Sequence, residues 1–133
     1  MKQKIATIFG ASGFIGKRLV RLLVDKGYEV VALSRSDWSS PDKFVKKYLG
    51  DISDVYFLES ALKDVNCIMH LAACTSMYSS NTNLVYKTNV EGTRNLIKVS
   101  NILGIKRIIY LGTLSSLRQK MGHYGASKKE AER

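Results

Sequence analysis

Cysteine is scarce in this sequence. Cys67 and Cys74 are the only two, and neither lies in a cluster of histidines and cysteines. A disulfide scaffold and a structural zinc site are therefore both poorly supported. Proline is rarer still, with Pro41 standing alone, so no proline-rich linker divides the chain. Long apolar runs are missing too: none reaches the roughly 18–20 residues that cross a bilayer. The N-terminus, Met1 to Ile5, carries two charges, but Gly10, Ser12 and Gly13 interrupt any signal-peptide core. A cytoplasmic protein is the default expectation. Acidic residues are also few, 11 Asp and Glu against 21 Lys and Arg, for a net charge of +10. Nucleic acid, a membrane surface or a phosphate-rich cofactor would each suit that charge. The positives are scattered: Lys17, Arg18 and Arg21; Lys43, Lys46 and Lys47; Lys106 and Arg107; Lys128 and Lys129. None of these runs reads as a basic tail, so a solvated basic surface is favoured over a nucleic-acid face.

What is present is regular. A length of 133 residues allows one domain of ordinary size, and an apolar fraction of 45% is normal for a folded one. Ile5 to Phe9 reads as a strand that ends at a glycine cluster. Phe14 to Lys26 reads as a helix, with Ile15, Leu19, Leu22 and Leu23 as its apolar stripe and Gly27 as its stop. Further strands are expected at Glu29 to Leu33, Val45 to Leu49, Cys67 to Leu71 and Ile105 to Leu111. Further helices are expected at Asp54 to Asp64, Leu84 to Leu103 and from Tyr124 to Arg133. This alternation predicts an α/β fold, a Rossmann-type doubly wound parallel sheet of about five strands in the order 3-2-1-4-5. The strands are near-continuous apolar runs, as parallel strands covered on both faces should be.

Between the first strand and the first helix lies Gly10-Ala11-Ser12-Gly13-Phe14-Ile15-Gly16. Gly10 permits a tight turn, Gly13 lets backbone N–H groups approach a pyrophosphate, and Gly16 lets the helix pack close to the sheet. The helix N-terminus adds unpaired N–H groups and partial positive charge, which suit phosphate. A tight turn that binds nothing is the structural alternative.

The GxxGxxG spacing resembles the short-chain dehydrogenase/reductase superfamily, especially its extended epimerase/dehydratase branch. Other segments agree in family order. Gly50-Asp51-Ile52 looks like the adenine-contacting acid and apolar pair. His70-Leu71-Ala72-Ala73 looks like the HLAA that lines the cofactor. Asn89-Val90-Glu91-Gly92-Thr93 looks like the NVxGT of the long helix, and Tyr124-Gly125-Ala126-Ser127-Lys128 matches YxxSK. The resemblance runs from about Lys4 to Arg133. It implies a nicotinamide dinucleotide as cofactor, contacted by Gly10, Ser12, Gly13, Phe14, Ile15, Gly16, Arg35, Asp51, Ile52, Leu71, Ala72, Ala73, Asn89 and Lys128. No metal is implied.

The end of the second strand reads Leu33-Ser34-Arg35-Ser36, with no acid before Asp37. An acid there would bond the ribose hydroxyls of NAD, whereas Arg35 can pair with a 2′-phosphate. Ser34 or Ser36 could donate to the same phosphate, and Lys17 or Arg18 could add a second positive charge. NADP is favoured, with NAD as the alternative through Asp37.

Tyr124 and Lys128 are four residues apart and share a helix face. A phenol ionises near pH 10 and is a poor base at neutrality, but a neighbouring ammonium favours the phenolate. The resemblance implies that Tyr124 exchanges a proton with a substrate hydroxyl or carbonyl while Lys128 tunes it and holds the nicotinamide ribose. Hydride then passes between substrate carbon and nicotinamide. Thr113 is the expected hydroxyl partner, with Ser115 and Ser116 as alternatives, and Asn89 is expected to support the Lys128 region. His123 is expected to be a solvent-exposed loop residue.

The segment between Thr113 and Tyr124 is shorter than in many extended members and lacks a VYG-like turn. That puts the sugar-nucleotide class in doubt but leaves a nucleotide sugar among the candidate small-molecule substrates. It also resembles atypical members that bind NADP and serve as reductases, regulators or assembly factors. The family's chains are more than twice this length. The later strands and the substrate-binding part are therefore expected to be missing, as in a truncated gene product, with residues 1–133 forming the NAD(P)-binding domain. These residues alone are expected to bind the dinucleotide and to catalyse poorly. The apolar face of the last helix, with Ala126, the Lys129 stem and Ala131, has little to pack on within the chain; in the family that helix often builds a homodimer interface.

Overall fold

The computed structural model describes residues 3–8, 10–39, 43–74 and 81–133. Five strands are present: β1 (Lys4–Ile8), β2 (Glu29–Ser34), β3 (Val45–Leu49), β4 (Cys67–His70) and β5 (Arg107–Tyr110). They form one parallel sheet in the order β3-β2-β1-β4-β5, as the alternation predicts. Phe9, expected to close the first strand, lies outside the described residues.

The helices are α1 (Phe14–Asp25), α2 (Val55–Ala61), α3 (Thr82–Tyr86), α4 (Gly92–Leu103) and α5 (His123–Ala131). They cover both faces of the sheet. Val31, Leu33, Ile68, Leu58, Leu62, Leu96 and Val99 build the core on one face. Ile5, Val30, Ala32, Cys67, Val20 and Leu23 build it on the other. Strand β2 alternates between the two clusters, which is why its sequence is apolar without interruption.

Three expectations need correction. In α1 the buried residues are Gly16, Val20 and Leu23, while Ile15 and Leu22 are 53% and 51% exposed. The rotation of the helix is set by Gly16, where an added Cβ would overlap the Gly10 carbonyl oxygen. Only the face that begins at Gly16 can approach the sheet that closely.

The long helix expected from Leu84 starts at Thr82 and is not uniform. A single π turn, Lys87–Glu91, separates α3 from α4. It ends at Gly104, whose φ of +70° lets the chain leave the helix through a left-handed residue. The helix expected over Asp54 to Asp64 is shorter. Asp54 caps α2 by accepting a bond from Phe57 N–H, and Asp64 has already left the helix with φ +65°. Helix α5 buries Gly125, Ser127 and Lys128, and leaves Ala126 and Ala131 half-buried.

Candidate dinucleotide site at the carboxyl end of the sheet

From β1 the chain turns to β2 on one side and reaches β4 on the other. The crevice between β1 and β4, outside the strand carboxyl ends, is where open α/β sheets bind ligands. The glycine-rich turn lies there. Gly13 N–H donates to Gly10 O over 3.1 Å, and Lys17 N–H donates to Gly13 O over 3.0 Å. Gly13 is the N-cap of α1 and supplies no side-chain cap, and no acid sits in the first turn. The leading N–H groups of a twelve-residue helix are thus left without a side-chain partner. Gly13, Phe14 and Ile15 are exposed and Ser12 is half-buried. Arg18 folds back so that Nη1 donates to Phe14 O at 3.1 Å and its guanidinium sits 3.9 Å from the Phe14 ring centre. Gly10 touches the segment after β4: a Cβ on it would overlap Leu71 Cβ. The turn and Leu71 therefore form one wall.

At the ends of β2 and β3, Arg35 and Ser36 are exposed, and Ser34 is buried with its hydroxyl donating to Ser36 O at 2.8 Å. Asp37 is bound elsewhere. Its carboxylate accepts from Lys47 Nζ and from Trp38 N–H, both at 2.8 Å, and the Lys47 bond holds it below the usual carboxylate range. Asp51 is exposed and accepts from Ser53 N–H at 2.8 Å, which lowers its pKa, helped by the charges of Arg35 and Lys87. Ile52 is 3% exposed, and its side chain belongs to the core. Ala72 is likewise buried, whereas Leu71 and Ala73 are half-buried.

Asn89 lies in the π turn and is 1% exposed. Its Oδ1 accepts from Cys74 N–H at 2.7 Å, and its Nδ2 donates to Cys74 O at 3.0 Å and to Ser127 Oγ at 2.9 Å. One side chain thus joins the segment after β4 to α5, one residue before Lys128. Ser127 in turn donates to Tyr124 O at 2.9 Å. The extra backbone residue of a π turn is a common device for re-aiming a functional side chain.

After β5, Thr113 caps a short 3₁₀ turn, Leu114–Leu117, with its Oγ1 accepting from Ser115 N–H at 3.3 Å. Ser116 is buried and donates to Thr113 O. Thr113, Ser115 and Tyr124 are half-buried. Lys128 is 2% exposed; its Nζ donates to Leu111 O at 2.7 Å and lies 4.0 Å from the Tyr110 ring centre. Burial brings its pKa down to about 8, against the opposing pull of Glu132. His123 is exposed, as expected, but it opens α5 rather than lying in a loop, and its ring is edge-on to Tyr86.

Four further residues line this end: His70, Thr93 and Ser127, which are buried, and Tyr110, which is half-buried with its hydroxyl covered. The first three stand inside the family motifs, and Tyr110 lies in the expected fifth strand. Thr93 Oγ1 donates to Asn89 O at 2.7 Å, so its single proton is used. The 2.8 Å contact with His70 Nε2 is therefore a bond donated by the ring N–H. Burial pushes the pKa of His70 down to about 3, with the Lys128 charge adding to the effect.

The model of the "NAD dependent epimerase/dehydratase family" matches residues 6–132. The sterol-4-alpha-carboxylate 3-dehydrogenase, decarboxylating, of Homo sapiens is 33% identical over 113 residues, covering 84% of this chain and 30% of that protein. The sterol demethylase protein B of Methylococcus capsulatus is 30% identical over 113 residues, covering 83% of this chain and 34% of its own. The chain spans about a third of the length of these curated relatives. Among solved structures, Pen from Bacillus thuringiensis superposes with a TM-score of 0.89 at 24% identity, covering 99% of this chain and 43% of that one. MoeE5 in complex with UDP-glucose and NAD superposes with a TM-score of 0.84 at 26% identity, covering 98% and 47%.

Proposed function

Because the chain belongs to the NAD dependent epimerase/dehydratase family, we propose that it carries the dinucleotide-binding and proton-transfer parts of an NAD(P)-dependent oxidoreductase, epimerase or dehydratase. The observation that carries this reading is the convergence of an uncapped helix N-terminus, at Gly13, with a buried lysine, Lys128, at one end of the sheet. The uncapped N–H groups and the absence of a Cβ at Gly13 fit a pyrophosphate. Asp51, Leu71 and Ala73 flank the adenosine and nicotinamide ends, and Asn89 fixes the wall that carries Ala73 and Cys74.

When bound, the nicotinamide supplies or accepts a hydride. The chain's own residues do the rest. Tyr124 exchanges a proton with the substrate oxygen, Lys128 favours the phenolate and holds the ribose, and Thr113 or Ser115 hydrogen-bonds the reacting oxygen. Asn89, through Ser127, keeps α5 and hence Tyr124 and Lys128 in place.

Arg35 supports NADP over NAD. It is exposed at the end of β2, while the nearest acid, Asp37, is engaged by Lys47. The substrate is a small molecule, with a nucleotide sugar as one candidate: MoeE5 is seen with UDP-glucose, while the short segment from Thr113 to Tyr124 weighs against that class. The same segment also favours the second reading, a non-catalytic NADP-binding sensor or assembly module.

Fluorescence titration with NADPH and NADH tests the binding. The expected result is saturable binding of both, with NADPH about tenfold tighter and that preference lost in Arg35→Ala, a difference of about 1.4 kcal/mol. Absence of saturable binding overturns the proposal, and equal affinities overturn the choice of NADP. Where turnover is measurable, Tyr124→Phe should lower kcat by about 100-fold or more and leave the dinucleotide Kd unchanged. An unchanged kcat would favour the sensor reading.

A further inference from the structure

Lys128 is 2% exposed, and among the described residues its ammonium donates to Leu111 O alone. The rest of its support is the face of the Tyr110 ring, 4.0 Å away. A desolvated ammonium over an aromatic face is attracted by the ring's quadrupole. The phenol hydroxyl is not what does this. Tyr110 Oη is buried and makes no hydrogen bond among the described residues, so the ring itself is the functional surface.

That ring is held in turn. Tyr110 pairs in register with His70 across β4 and β5, and the two rings meet edge-on with centres 5.2 Å apart and planes at 63°. His70 cannot swing, because its Nε2–H is bonded to Thr93 Oγ1, and Thr93 is bonded to the π-turn carbonyl of Asn89. A continuous stack therefore runs from the π turn through Thr93, His70 and Tyr110 to Lys128.

We propose that Tyr110 is a positioning residue for Lys128: the face of its ring, backed by His70, sets where the ammonium stands. This rests on the reading that Lys128 serves the bound dinucleotide. The ring places the ammonium one helical turn from Tyr124 and keeps it from collapsing further onto the strand end. The hydroxyl of Tyr110 is dispensable for this, and the aromatic face is not.

The geometry has a direct spectroscopic signature, since protons above an aromatic face are shifted upfield. In the ¹³C,¹⁵N-labelled chain, the Lys128 ε-methylene protons should be upfield of their unstructured position, remain so in Tyr110→Phe, and lose the shift in Tyr110→Leu. NADPH titration of the same samples should leave Tyr110→Phe at the wild-type Kd and weaken Tyr110→Leu about fivefold. Lys128→Met should also weaken binding. An unshifted ε-methylene in the wild-type chain overturns the proposal whether or not the variants fold. So does wild-type affinity in Tyr110→Leu, or loss of affinity in Tyr110→Phe, while Lys128→Met is impaired. Wild-type affinity in Lys128→Met instead overturns the role of Lys128 on which the proposal rests.

Discussion

Among the described residues, His70 is one whose chemistry the fold alters strongly. Its ordinary pKa of 6.5 falls to about 3 because the buried ring has no water to stabilise a charge. Below pH 6.5 the unfolded chain therefore takes up a proton that the folded chain refuses. The contribution of neutral His70 is complete above that pH and is lost progressively as pH falls towards 3. The slope from this one residue is at most about 1.4 kcal/mol per pH unit. Urea denaturation at a series of pH values should show wild-type stability falling more steeply between pH 6 and pH 4 than that of His70→Gln. Parallel curves would mean that His70 ionises freely in the folded protein. Asp37 and Asp51, both with lowered pKa, push in the same direction, so the difference between the two proteins is the quantity to read.

Among the elements, α1 depends on a single atom that is not there. Gly16 lies against the Gly10 carbonyl, and a methyl group would have to displace backbone rather than a flexible side chain. Gly16→Ala is expected to cost about 3 kcal/mol or to prevent folding, read as a fall in thermal midpoint. At Gly13 the nearest atom to an added Cβ is 3.3 Å away, so Gly13→Ala should fold and lose dinucleotide affinity instead. The existence of α1 was legible in the sequence, but its rotation was not. Ile15, Leu19, Leu22 and Leu23 are equally apolar, and hydropathy does not register that glycine sets the closest approach. The strands were readable for the opposite reason. In β2 and β4, burial on both faces leaves an apolar run that no loop or surface helix imitates, whereas β3, with Lys46 and Lys47 exposed, carries a weaker signal. The π turn left no mark, because an extra residue in a helix has no residue type of its own. Asn89 was found through its motif, yet its bond to Ser127 spans 38 residues and arises only from packing.

For the whole molecule, the outer strands behave differently from the inner three. β3 is guarded by Lys46 and Lys47, whereas β5 exposes Ile109 at 48%, with Leu111 beyond it at 41%. Among the described residues β5 pairs only with β4. An outer strand with apolar side chains and unpaired backbone groups invites association. Light scattering by the 133-residue chain should rise with concentration and fall in Ile109→Lys, with the far-UV circular dichroism unchanged. Equal scattering by the two proteins would place the association elsewhere. The net charge of +10 counters this tendency but is scattered over the surface rather than gathered at β5. No helix among the described residues is long and apolar enough to cross a membrane.

Asn89 also couples segments far apart in the chain. Helix α5 rests on the π turn and on the 3₁₀ turn after β5. The position of Tyr124 and Lys128 therefore depends on contacts distant in sequence. Local opening of α5 would move Tyr124 and Lys128 and leave the glycine-rich turn, which sits against Leu71, in place. On the proposed function, such opening would abolish proton transfer and spare dinucleotide binding.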